Sequence, residues 1–190
     1  MDLLVKNVIS ACWGVFIVVW LLAAIFTKRT VYRESPGQRL RYMVPILIGC
    51  YLLFRASRLP YPFNLRVIPR AEALLLVAAI LCICGVGFCF WARAVLGRNW
   101  SGTVTVKENH ELVVRGPYRL VRHPIYTGLL AMLIATAIQQ GRLAGIIGDV
   151  LIFLSLWIKS SHEEEVMRKQ FPDQYQAYQA RVKRIIPFIL

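Results

Sequence analysis

In its 190 residues the chain carries 57% hydrophobic and only 17% charged positions, and a mean hydropathy of +0.54 excludes an ordinary soluble domain. A formal net charge of +13 would suit nucleic acid, yet the basic residues form neither one stripe nor a nucleic-acid-binding motif. They flank apolar runs, the distribution that sets membrane topology and attracts anionic lipid.

The first element is Asn7 to Phe26, about twenty uncharged apolar residues, enough to cross a hydrocarbon core of roughly 30 Å. It reads as a span and not as a cleavable signal peptide: the run is long, Asp2 weakens the leading basic region, and no small-residue cleavage pattern precedes Lys28. A basic loop broken by Pro36-Gly37 follows, then a second apolar run, Met43 to Leu59. Arg55 and Arg58, three apart on one helix face, read as snorkelling toward head groups. Three prolines between Leu59 and Pro69 make a short crossing loop. The third run, Ala71 to Leu96, contains Gly85-Val86-Gly87, which in wholly apolar surroundings points to close helix packing and not to a nucleotide loop.

From Gly97 to His123 the chain turns polar, with a short extended piece expected at Thr103 to Val106 and a turn at Glu108-Asn109-His110. Pro124 to Gln139 is a fourth, shorter apolar stretch with Pro124 placed as a first helical residue. Leu143 to Ile158 is the fifth, and its helical pattern runs on to Gln170. Asp149 inside it reads as a structural hydrogen-bond partner. An amphipathic helix from Asp173, taken as its N-cap, to Arg184 closes the chain. The five cysteines lie in apolar segments and pack as small hydrophobes; no metal site is predicted, because Cys82 and Cys84 have no histidine or second cysteine pair at ligand spacing.

The expected fold is therefore all-α and integral to the membrane, one domain over 1–190 with spans near 7–26, 43–59, 71–96, 124–139 and 143–160, a cytoplasmic connector and a C-terminal amphipathic helix. With the N-terminus outside, seventeen Lys and Arg fall on the cytoplasmic side against four outside (Lys6, Arg66, Arg70, Arg142), with Arg55 and Arg58 left within a span. Two polar islands, Arg115 to Gly128 and His162 to Pro187, then share the cytoplasmic face.

These islands carry a resemblance. Gly97 to Ser101 (GRNWS), Glu111-Leu112-Val113, the GPYRLVRHPIYTG string from Gly116, Glu163-Glu164 with Met167, and the FPDQYQAY…R…P ending resemble the isoprenylcysteine carboxyl methyltransferase family and its bacterial relatives, to which the phospholipid N-methyltransferases are similar. The likeness covers Gly97 to Pro187, about half the chain. It implies an integral-membrane methyltransferase that uses S-adenosylmethionine; a bacterial inner membrane is the expected location, with the C-terminus cytoplasmic by the basic-residue distribution. By the resemblance, Tyr118, Arg122, His123, Pro124 and Tyr126 line the cofactor pocket. Glu163 and Glu164 match the family's paired acids, with Glu165 blurring which two form the pair. Arg181 matches the arginine that steadies the methyl acceptor, with Arg184 in reserve; Glu164, Arg181 and Arg184 are thus the catalytic candidates.

The chemistry of these side chains agrees with such a ligand. Carboxylates suit a ribose diol or an ammonium, Arg or His suits a carboxylate, and an aromatic face such as that of Tyr118 or Tyr126 attracts a cation or stacks on adenine. Each residue also has a plainer reading: Arg115, Arg119 and Arg122-His123 as interfacial anchors, Glu163 to Glu165 as a solvated face, and Tyr175 and Tyr178 as interfacial belt residues, the reading preferred for that pair. The expected acceptor is a lipid or lipid-like amphiphile, with a prenylated cysteine carboxylate ranked first and a phospholipid amine or small thiol as alternatives. A nicotinamide-dependent membrane reductase and a non-enzymatic membrane protein are the rivals from other classes.

Overall fold

Apolar helices of this length must satisfy their own backbone groups before they can enter lipid, and the described residues do so in five long α-helices and one short one. The computed structural model describes residues 1–108, 111–187 and 189, with the side chains of 106 and 107 left aside. Helix α1 is Asp2–Ile25, α2 Pro36–Arg55, α3 Glu72–Leu96, α4 Pro124–Gln140, α5 Leu143–Gln170 and α6 Pro172–Arg181. Strands β1 (Thr30–Arg33) and β2 (Thr105–Lys107) form one antiparallel pair.

Four helices, α1, α2 with its 3₁₀ extension, α3 and α5, are long and apolar enough to cross a membrane. The expected fifth, α4, has 17 residues, about 26 Å at 1.5 Å per residue, and falls short of that length. Helix boundaries differ from the apolar runs where local capping chemistry extends or ends a helix. Helix α2 starts seven residues before Met43, because Ser35 and Gln38 form a reciprocal capping box and Pro36 takes the first helical position. Helix α6 begins at Pro172, so Asp173 is not its N-cap, and ends at Arg181. From Val182 the backbone is extended and runs beside the connector: Arg122 N–H donates to the Lys183 carbonyl at 2.8 Å and His123 N–H to that of Arg184 at 2.9 Å. The extended piece near Thr103 to Val106 is present as β2, which starts two residues later and ends one later, but its partner β1 lies in what read as a basic loop. The turn expected over 108–110 lies partly outside the described residues.

Small residues decide how closely the helices approach. Gly85 on α3 faces Gly128 on α4 so tightly that a Cβ on Gly128 would lie 2.6 Å from both the Gly85 carbonyl oxygen and Cys89 Sγ. Gly49 on α2 meets Gly148 on α5 in the same way. Gly87, by contrast, has open space around it, so only one of the two glycines in the Gly85-Val86-Gly87 run serves packing. Buried side chains gather in two clusters, one from Leu53, Tyr118, Tyr126, Leu133 and Leu156, the other from Val5, Phe16, Cys82, Cys89 and Met132. Asp149 Oδ1 is buried without a hydrogen-bond partner, so the structural pairing expected for it is missing at that oxygen.

Gly128→Ala should lower the unfolding stability in detergent by about 1–3 kcal/mol through overpacking, whereas Gly87→Ala should be neutral or slightly stabilising because helix propensity improves and nothing is displaced. Thermal unfolding of both variants checks this, and equal effects would contradict it.

Candidate functional site

Glu164 sits on α5 beyond its apolar stretch, with a fully buried side chain. Oε1 accepts from Arg122 Nε at 2.8 Å and lies 3.1 Å from His123 Nε2; Oε2 accepts from Gln179 Nε2 at 2.8 Å and Arg184 Nη2 at 2.9 Å. One carboxylate thereby joins the connector, the start of α4, α6 and the extended tail. An unpaired buried carboxylate would cost several kcal/mol, so this arrangement holds only while its donors stay in place. Arg122 also donates to the carbonyls of Gln179 at 3.4 Å and of Val182, fixing the α6 end from the other side.

Its neighbour Glu163 turns the other way. Oε1 accepts from Tyr126 Oη at 2.6 Å and lies 3.7 Å from Lys159 Nζ, while Oε2 is 3.3 Å from His123 Nδ1. The His123 imidazole therefore bridges the two acids, with its ring stacked on that of Tyr126 at 5.3 Å. Lys159, one turn before Glu163, donates to the Gly102 carbonyl at 2.9 Å and lies 5.4 Å from the Tyr126 ring centroid. Glu165 faces outward, exposed and bonded to Lys169 at 2.7 Å, which separates it from the inward pair.

These groups face a cavity of about 300 Å³. Tyr118, Arg122, His123, Pro124, Tyr126 and Glu163 line it, as do Glu111, Lys159, Met167, Tyr175 and Tyr178, with Trp20, Leu96 and Trp100 on its apolar side. Three expected catalytic residues stand elsewhere. Glu164 lies behind the wall; Arg184 packs over Trp157 and bonds Ser161 at 2.8 Å; Arg181 is exposed at the end of α6 and outside the lining. Tyr175 and Tyr178 are buried cavity residues, which overturns their reading as interfacial belt residues; Tyr178 Oη donates to the Tyr118 carbonyl at 2.6 Å. Lys159 escaped the sequence reading because a lysine closing an apolar run looks like a topology signal, although its i,i+4 relation to Glu163 was visible.

Burial by itself would raise both carboxyls and lower the imidazole, but the partners prevail. Glu164 is pushed down to about 2 by hydrogen bonds from His123 and Arg122, and Glu163 is lowered by Lys159 and His123. The His123 pKa is raised, since the bonds to Glu163 and Glu164 outweigh desolvation. Burial keeps the Tyr118 phenol neutral. The donor set suits a ligand with both charge signs: Glu163 for hydroxyls or an ammonium, Lys159 and Arg122 for a carboxylate, and tyrosine faces for a cation or a base. S-Adenosylmethionine has those groups and fits these residues.

The fold and cavity define a polytopic membrane protein with a cavity walled by charged and aromatic side chains at one end of its helices. Residues 73–174 match the phospholipid methyltransferase family model, and the chain belongs to that family as an isoprenylcysteine carboxyl methyltransferase-like member. It is 31% identical over 104 residues to a probable protein-S-isoprenylcysteine O-methyltransferase of Oryza sativa subsp. indica, covering 52% of this chain and 53% of that one. Its counterpart in Schizosaccharomyces pombe is 34% identical over 104 residues, 52% and 43% of the two chains. An uncharacterized Bacillus subtilis protein is 25% identical over 126 residues, 66% of this chain and 74% of its own. A solved structure of the eukaryotic intramembrane Ras methyltransferase, isoprenylcysteine carboxyl methyltransferase, superimposes with a TM-score of 0.56 at 25% identity, over 84% of this chain and 55% of that one. The chain spans about half the length of the curated plant relatives it matches.

A raised histidine pKa contributes stability that is complete below the ordinary imidazole value of about 6.5 and lost as pH rises through the raised one. The Glu164 contribution runs the other way, present above the ordinary carboxylate range and lost only as pH falls toward about 2. The stability deficit of His123→Gln relative to the parent chain should therefore be largest near about pH 6 and shrink at alkaline pH. Thermal unfolding in detergent across that range reads it, and a deficit independent of pH would refute it.

Proposed function

We propose that the protein is an S-adenosylmethionine-dependent membrane methyltransferase whose acceptor is an amphiphile, a prenylated cysteine carboxylate first among them. The observation that supports it most is the pairing of Glu163 and Lys159, opposite charges 3.7 Å apart, with aromatic rings on the wall of one cavity. Family membership and the printed names of the relatives point the same way.

Bound there, S-adenosylmethionine supplies a methyl group on a sulfonium. Glu163 accepts hydrogen bonds from the ligand's hydroxyls or ammonium, and Lys159 with Arg122 offers charge to its carboxylate. The faces of Tyr118 and Tyr126 stabilise a cation and hold the reacting end away from water. Glu164 does not touch ligand in this arrangement; it positions Arg122, His123, Gln179 and Arg184 around the cavity. The apolar side, Trp20, Leu96, Trp100 and Leu129, admits a greasy acceptor from the bilayer. A carboxylate acceptor needs no base, so alignment is the main catalytic task. Arg181 is retained as an acceptor-steadying candidate from the exposed end of α6. The proposal also makes α4 a fifth crossing, with the N-terminus outside and the cavity at the cytoplasmic face of a bacterial inner membrane, in keeping with the basic-residue distribution.

Membranes containing the chain, incubated with methyl-labelled cofactor and a prenylated cysteine, should yield base-labile label. Glu163→Gln should weaken cofactor binding by about tenfold, the worth of one charge-assisted hydrogen bond, and Glu165→Gln should leave it unchanged. Label appearing only in lipid amines would move the acceptor to phospholipid, and binding of a nicotinamide dinucleotide in place of S-adenosylmethionine would overturn the class.

A further inference from the structure

At the other end of α4 from His123, a second cavity of about 520 Å³ opens between α1, α2 and the loop before α3. Its lining holds Lys6, Arg55, Arg58, Arg66, Arg70 and Arg142. These six are all the Lys and Arg that the sequence does not assign to the opposite face. The single acid in the lining, Asp2, is engaged by Gln139 at 3.0 Å and lies 3.7 Å from Arg70. Six cations drawn from distant parts of the chain thus face one carboxylate.

The frame that gathers them is fixed by backbone bonds. Val67 and Ile68 N–H groups donate to the Gly141 carbonyl at 2.8 and 3.2 Å, and Leu143 and Ala144 N–H groups donate to the carbonyls of Leu65 and Phe63 at 2.9 and 3.0 Å. Gly141 has φ +64, and a Cβ there would come 2.7 Å from the Ile68 carbonyl oxygen, so this clamp requires glycine. Arg66 and Arg142 are tied to loop carbonyls, those of Ile68 and Asn64. Lys6, Arg55 and Arg58 have no hydrogen-bond or ion-pair partner among the described residues. Burial first, and the neighbouring Arg70 and Arg142 after it, push the Arg66 guanidinium below its usual range.

Below the basic rim the lining turns to Ile9, Trp13 and Phe54, and α1 leaves most of its apolar surface uncovered. A ligand here needs an anion at one end and an apolar stem at the other. We propose that this cavity binds the phosphate group of an anionic membrane lipid, with Lys6, Arg55 and Arg58 as the open donors and Arg66 and Arg142 fixed behind them. Guanidinium forks match phosphate oxygens in pairs, and a lipid supplies the apolar part that a free phosphate lacks. The site does not depend on the proposed methyl transfer.

The test is a titration of the purified full-length chain in a nonionic detergent with dioctanoyl phosphatidylglycerol, dioctanoyl phosphatidylcholine and inorganic phosphate. Saturable binding of the phosphatidylglycerol, at least tenfold tighter than either other probe, is expected. The double variant Arg55→Gln/Arg58→Gln should weaken it by about tenfold or more, while Arg33→Gln/Arg41→Gln, the same charge change at the other end, should leave it unchanged. Should the first pair fail to fold, Lys6→Gln alone should still weaken binding severalfold. Equal loss in both double variants would reduce the effect to net charge and overturn the proposal, as would equal affinity for phosphatidylcholine. Inorganic phosphate binding as tightly as the lipid would assign the cavity to a soluble anion instead.

Discussion

The buried carboxylate of Glu164 is the constraint on which the ligand end of the molecule depends. Its two oxygens gather the adjacent Arg122 and His123 at the start of α4, Gln179 from α6 and Arg184 from the extended tail, in a dry place where unpaired donors would be costly. Remove the carboxylate, and Arg122 and Arg184 lose their buried counter-charge, while the extended tail is still tied by its backbone bonds to Arg122 and His123, the Arg122 bond to the Val182 carbonyl, the Thr127 bond to the Ile185 carbonyl and the Arg184 bond to Ser161. Glu163, one residue earlier, turns toward the cavity, so one of two adjacent acids lines it and the other supports its wall.

The helices that carry this site are placed by small residues. Where Gly85 meets Gly128, α3 and α4 approach to backbone contact, which brings the Trp100 region after α3 beside His123 at the start of α4. Gly49 and Gly148 do the same for α2 and α5 and bring β1 toward the site. There Glu34 accepts from Tyr42 Oη and, at 3.1 Å, from the Val104 N–H. The strand pair therefore lies against the cavity, which Val104 and Thr105 line.

Much of this was legible because hydropathy and family-like strings are local signals. The apolar runs, the helix start at Pro124, the acidic run holding Glu163 and Glu164, though not which two of its three acids turn inward, and the cavity residues from Tyr118 to Tyr126 could be read along the chain. Other features needed the third dimension. The capping box at Ser35 and Gln38 hid inside a basic loop, and β1 had no alternating pattern to announce it. Tyr175 and Tyr178 look like belt residues until α6 folds back over Tyr118. Lys159 and Arg184 differ in role although both are basic residues near one face: the first lines the cavity and the second supports it from behind. Sequence spacing alone could not separate Glu163 from Glu164 in that respect, since adjacent helical residues differ by a rotation whose sense depends on how α5 is packed.

The central claim is that Glu164 and Arg122 act as one unit in building the cavity proposed to hold the cofactor. A double-mutant cycle measures it most directly: S-adenosylmethionine affinity of the parent chain, Glu164→Gln, Arg122→Gln and the double variant, by calorimetry in detergent. The account predicts strong non-additivity, with the double variant losing little more than either single one, a coupling of about 1–3 kcal/mol. Losses that simply add, or an affinity untouched by Glu164→Gln, would contradict it.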